Sequence, residues 1–135
     1  MDRKEIALML HHNNVNCAQS VICAFSNVLG VDPVTAFRMA EAFGFGMGCQ
    51  GVCGAVSGMA MAVGLKMSDG NLDNPGTKHE CYEMISKLKA EFEDKYGTCQ
   101  CSELKDYELE DGSVRSCDEY IQTAVEILDR ELLGL

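Results

Sequence analysis

The sequence contains no run of alternating β-branched residues, so nothing in it reads as a half-buried strand. It is also poor in positive charge, with 11 Lys and Arg against 21 Asp and Glu and a net charge of -10. A phosphate backbone or an anionic membrane is repelled on average, which makes nucleic acid a poor partner. No Ser/Pro/Gln tract, fixed-period repeat or long charge block breaks the chain, and disordered and solenoid organisations drop out. The segment from Met1 to His12 has no apolar signal region and no small-residue cleavage site, so the expected location is cytoplasmic. No Gly-Lys-Ser/Thr follows the glycines, which removes a phosphate loop. No C-x2-C pair, C-x2-C-H run or ferredoxin-type run is present, which removes a c-type haem. No nucleophile–base–acid set stands out.

What remains is a helical pattern. The 135 residues fit one domain, 1–135, large enough to bury a core without disulfides or metals. The expected fold is all-α, a single-domain bundle of about six helices. The first runs from Asp2 to His12 with Ile6, Met9 and Leu10 inward, and the second from Cys17 to Leu29 with Cys17, Val21, Ala24 and Val28 inward. Asp32-Pro33 opens a third, which runs to about Phe43. Ala42 to Leu65 carries no charge over 24 positions but includes seven glycines, so it reads as a loop leading into a buried helix and not as a membrane span. That helix, Val52 to Val63, has Gly54, Gly58 and Ala62 at every fourth position; the bare face should admit another backbone or a cofactor, which makes it central. Thr77 with Glu80 reads as a capping box for a helix to about Tyr96, with Tyr82, Ile85, Leu88 and Phe92 inward. Ser116 to Leu133 closes the bundle, and residues 78–135 hold fifteen of the acidic groups.

The eight cysteines carry the chemistry. Asn16-Cys17-Ala18-Gln19 and Ser116-Cys117-Asp118-Glu119 each read as a capping box with cysteine at the first helical position, and Cys53 begins the small-residue helix. Free N–H groups at such starts favour a thiolate, so Cys53 is expected to titrate below about 8.5. Cys49 with Cys53, and Cys99 with Cys101, are close pairs in turns that can clasp a soft metal. Cys17, Cys53, Cys101 and Cys117 are therefore the working set, with Cys49, Cys99, Gly54 and Gly58 as further cofactor-binding positions. Cys23 and Cys81, inside helices, read as packing. His11, His12 and His79 read as solvated helix ends, and the eight methionines as core filler.

Taken together, Asn16-Cys17-Ala18-Gln19-Ser20-Val21, Gly44-Phe45-Gly46-Met47-Gly48, Cys53-Gly54-Ala55-Val56-Ser57-Gly58, Cys101-Ser102-Glu103-Leu104 and Cys117 resemble the C_GCAxxG_C_C family over nearly the whole chain. The four family cysteines fall on Cys17, Cys53, Cys101 and Cys117, with Cys99 a rival for the third. The resemblance implies a bacterial or archaeal protein with a redox or metal-linked role. A similar domain occurs in split-Soret cytochromes, where it is associated with an iron centre, and this implies an iron–sulfur cluster or other thiolate-bound metal at the four cysteines. The expected function is thiol–disulfide electron transfer or the holding of such a cluster. The alternative is a structural zinc protein or scaffold without redox turnover. Expected partners are a redox protein or a small-molecule redox couple, with a homodimer as a further candidate.

Overall fold

In the computed structural model, which describes residues 1–105 and 117–134, the first helix begins where Asp2 caps it. Asp2 Oδ1 accepts the Glu5 amide at 2.8 Å and the Glu5 carboxylate accepts the Asp2 amide at 3.2 Å. The described residues form eight α-helices: α1 (Arg3–His12), α2 (Cys17–Ala24), α3 (Ser26–Leu29), α4 (Pro33–Ala40), α5 (Gly54–Met67), α6 (Lys78–Tyr96), α7 (Cys101–Lys105) and α8 (Cys117–Ile127). A wider coil, Leu128–Leu132, continues α8. The described part is all-α, as the periodicity predicts. The count exceeds six because the expected helix over 17–29 breaks at Phe25, and because Cys101 starts a short helix where a turn was expected.

At the break the Phe25 amide donates to the Ile22 carbonyl at 3.1 Å and the Ser26 hydroxyl to the Cys23 carbonyl at 2.9 Å. Phe25 is wholly buried, whereas Val28 beyond it, expected inward, is exposed. Met9 and Tyr82 are likewise exposed. On α6 the inward stripe runs through Cys81, Met84 and Ile85 to Leu88, Phe92 and Tyr96, one position off the expected start. Nor does Thr77 cap α6, because its hydroxyl accepts the Asp69 amide at 3.2 Å instead. Ser116, the expected cap of α8, lies outside the described residues.

The small face of α5 does what its spacing suggests. A Cβ on Gly58 would lie 2.8 Å from the Val21 Cβ and 3.1 Å from the Ala18 carbonyl oxygen. One on Gly54 would lie 3.1 Å from the Ala18 nitrogen and 3.2 Å from the Cys17 Cβ. Both helices advance together along this contact, so α2 and α5 run parallel with their N-termini at the same end. On its other sides α5 meets α6 and α8, which makes it the central helix. Val21, Ile22, Met59, Leu88, Ile121 and Leu128 fill the space between, each worth about 1.5–3 kcal/mol on burial. None of the described helices is long and apolar enough to cross a membrane.

Helix α1 lies antiparallel along α8. Arg3 pairs with Asp129 at 2.7 Å and Lys4 with Glu126 at 3.0 Å near one end, and His11 meets Asp118 at the other. The Arg3 pair is half-buried and the Lys4 pair exposed, and both fix direction more than stability. Their consequence is positional: the last turn of α1 is held beside the first turn of α8.

Replacing Gly58 by Leu should destabilise the protein by roughly 1–3 kcal/mol or more, because the α2 backbone and Val21 occupy the space required. Thermal unfolding checks this, and a parental melting temperature in Gly58→Leu would contradict the close α2–α5 contact.

Candidate functional site

Three cysteines, Cys17, Cys53 and Cys101, stand at helix starts, and Cys117 is the first described residue of α8. Cys17 is the first residue of α2, where Asn16 and Gln19 form a reciprocal cap: Asn16 Oδ1 accepts the Gln19 amide at 2.8 Å, and Gln19 Oε1 accepts the Asn16 amide at 3.1 Å. The side-chain amide nitrogens of Asn16 and Gln19 donate to the carbonyls of Glu41 (2.9 Å) and Phe37 (3.0 Å) respectively, tying the start of α2 to the end of α4. Cys53 is the capping residue of α5. Val52 pairs with Gln100 in a single antiparallel bridge, where the Cys53 amide donates to the Cys99 carbonyl at 2.7 Å and the Cys101 amide to the Gly51 carbonyl at 2.6 Å. The bridge sets the beginnings of α5 and α7 side by side. In turn α7 is anchored to α8 by the Tyr120 hydroxyl, which donates to the Leu104 carbonyl at 2.7 Å. Cys117 is the first described residue of helix α8.

The result is one cavity of about 220 Å³ whose wall includes Cys17, Cys53, Cys101, Cys117 and His11. Phe45 and Tyr120 supply apolar wall. The Cys17 and Cys117 thiols are hydrogen-bonded to one another. Their sulfurs and a ring nitrogen of His11 all lie within 4.8 Å of one another. No disulfide joins any two cysteines among the described residues. Soft sulfur donors around an apolar space, with an imidazole at the edge, fit a thiolate-bound metal.

Two of these thiols are held in the neutral form. The hydrogen bond with Cys117 pushes Cys17 far up, and desolvation adds to it. Desolvation pushes Cys53 up to about 11, although the Ala55 and Val56 amides at the start of α5 act the other way. This corrects the expectation that Cys53 titrates below 8.5. Backbone amides do favour its thiolate, but the thiol of a residue only 5% exposed loses more hydration than they return.

The other sequence-selected positions are spread around this site. Gly54 is in the cavity wall, whereas Gly58 lies one turn deeper against Val21. Cys49 is exposed, and its sulfur bonds to the Gly46 carbonyl at 3.4 Å. Cys99 is buried outside the cavity wall, where its carbonyl serves the bridge. Cys23 and Cys81 are half-buried and packed on the core. The glycine-rich segment is a left-handed turn, with Phe45, Gly46, Met47 and Gly48 all at φ between 55° and 72°. Two of these are not glycine, a cost of order 1–3 kcal/mol each.

His11 corrects the sequence reading, which placed it in solvent. Its Nδ1 sits 2.7 Å from Asp118 Oδ1, and the exposed His12 places Nε2 2.6 Å from the other carboxylate oxygen. Burial opposes ionisation of Asp118, but the hydrogen bonds from His12 and His11 outweigh it and hold the carboxyl below its ordinary value. The only sequence signal was that His11 ends a helix six positions before Cys17, and no motif uses that spacing.

In reduced, metal-free protein, alkylation of Cys53 should accelerate only as the pH approaches about 11. Between the ordinary thiol value near 9 and that point, the unfolded chain releases a proton that the folded chain keeps. Stability should therefore hold steady below about pH 9 and fall above it. Site-resolved alkylation and urea unfolding across pH 7 to 11 check both, and a Cys53 midpoint at or below 8.5 would contradict the burial argument.

Comparison with known proteins adds one match. No curated protein and no solved structure matches the chain. The family described as "Putative redox-active protein (C_GCAxxG_C_C)" matches residues 15–131, a span that includes all four cysteines of the cavity. The chain belongs to the C_GCAxxG_C_C family.

Proposed function

We propose that this is a cytoplasmic redox protein in which Cys17, Cys53, Cys101 and Cys117 hold an iron–sulfur cluster or another soft, thiolate-bound metal. The observation that carries the reading is the meeting of four cysteines, each carried by a different helix, around one cavity. Cysteines that serve only as filler pack against one another and leave no such space. Family membership supports the redox half of the reading, and the sulfur and imidazole donors support the metal half.

When bound, a cluster supplies one-electron chemistry. The chain supplies the rest. Four thiols give up their protons to become ligands, and the positive ends of the helices offset part of the negative charge they bring. The Ala55 and Val56 amides face the Cys53 sulfur and favour its anionic form. Phe45 and Tyr120 limit water at the site, one of the factors that sets a cluster's potential. Electrons would be exchanged with a partner redox protein or a small-molecule couple.

A second reading rests on the hydrogen bond between Cys17 and Cys117. These two thiols can close to a disulfide, releasing two protons and passing two electrons to an acceptor couple, and reduction reverses the step.

Anaerobically purified protein should contain iron and sulfide and show a visible absorption that dithionite bleaches. Serine at Cys17, Cys53, Cys101 or Cys117 should lower iron occupancy, and serine at Cys23 or Cys81 should not. Zinc alone, with no redox-dependent change in any thiol, would establish the structural alternative. Metal-free protein whose Cys17 and Cys117 form a disulfide reversibly would favour the second reading.

A further inference from the structure

We propose that His11 is a nitrogen ligand of the cysteine site, held in place by Asp118, so that the metal centre has a mixed nitrogen–sulfur donor set. The inference rests on the metal-binding reading above and extends it to a residue outside the family match, which begins at residue 15.

The geometry comes from two helices. His11 lies in the last turn of α1, and the antiparallel packing of α1 on α8 brings it to the residues that open α8. It is three-quarters buried and forms part of the cavity wall, whereas His12 beside it is exposed. Donor atoms bonded to one ion at about 2.0–2.3 Å cannot lie more than about 4.6 Å apart. A ring nitrogen of His11 and the Cys17 and Cys117 sulfurs already lie within 4.8 Å of one another, so closing on an ion requires little movement.

Asp118 determines which nitrogen is available. An ionised carboxylate only accepts hydrogen bonds, so the short contact between Asp118 Oδ1 and His11 Nδ1 places the imidazole proton on Nδ1. Nε2 then carries the lone pair. A carboxylate on the distal nitrogen of a ligating histidine is the usual means of fixing its tautomer and orientation. The second oxygen of Asp118 takes His12 at 2.6 Å, which keeps the carboxylate from swinging away. Asp118 directly follows Cys117, so one helix start delivers both a thiolate and the residue that orients the imidazole. Asp118 is here a positioning residue and His11 the ligand.

Cobalt(II) is the probe, because its ligand-field bands report the donor set and its affinity can be measured against a chelator. Wild-type protein should bind cobalt with sulfur-to-metal charge-transfer absorption. His11→Gln should shift the ligand-field bands and weaken binding at least about tenfold, and Asp118→Asn should weaken it by about 10–100-fold with His11 intact. A measurement without substitution guards against misfolding: cobalt should shield His11 of the wild-type protein from diethylpyrocarbonate and leave His79 reactive. His11→Gln with wild-type affinity and bands, or a His11 that stays reactive in the cobalt-loaded protein, would overturn the assignment while leaving the four-cysteine site standing. Wild-type protein that takes up cobalt without sulfur charge transfer, or takes up none, would instead overturn the thiolate metal site itself, and the His11 role with it.

Discussion

The parallel contact between α2 and α5 is the constraint on which the site depends. Two glycines allow it: a side chain on Gly54 or Gly58 would meet the α2 backbone or Val21. Because the helices run parallel, this contact brings two N-termini to the same place, and Cys17 and Cys53 stand at those termini. The 51–53 to 99–101 bridge then attaches α7 beside α5, and the Tyr120 bond to Leu104 attaches α8 to α7. Each link is a short, local interaction. Together they gather four cysteines spread over 100 positions of sequence.

The site balances two opposed effects. Helix starts favour anions, but in the metal-free protein the hydrogen bond with Cys117, together with burial, keeps Cys17 a thiol, and burial keeps Cys53 one. A bound metal reverses that balance, since its charge replaces the protons and the amides then face a thiolate. Cys17 and Cys53 are thus held as thiols in the metal-free protein, and a bound metal would hold them as thiolates. The strained turn at 45–48 adds Phe45 to the cavity wall, and such strain is typical of places where geometry serves a site and not the core.

Much of this was legible in the sequence, for identifiable reasons. The reciprocal Asn16–Gln19 cap, the Asp32–Pro33 start and the small face of α5 are local patterns whose physics does not depend on the rest of the fold. The four cysteines could be singled out because each stands at a helix start or in a turn. The errors arose where tertiary packing decided the outcome. The helix that periodicity would have continued broke at Phe25, Thr77 bonded to Asp69 instead of capping α6, and the stripe of α6 began at Cys81 instead of Tyr82. The depressed Cys53 value failed because a sequence shows a helix start but not the depth of burial. His11 was missed because its meeting with Cys117 and Asp118 depends on how α1 lies along α8.

Whether the four thiols occupy one site can be measured without reference to any metal. Phenylarsine oxide bridges two thiols that lie close in space, with loss of water, and peptide mapping identifies the pair. In folded, reduced protein the account predicts an arsenic bridge between Cys17 and Cys117, which are 100 positions apart, and none involving Cys23 or Cys81. Bridges confined to sequence neighbours such as Cys99 and Cys101, with Cys17 and Cys117 left unmodified, would contradict it.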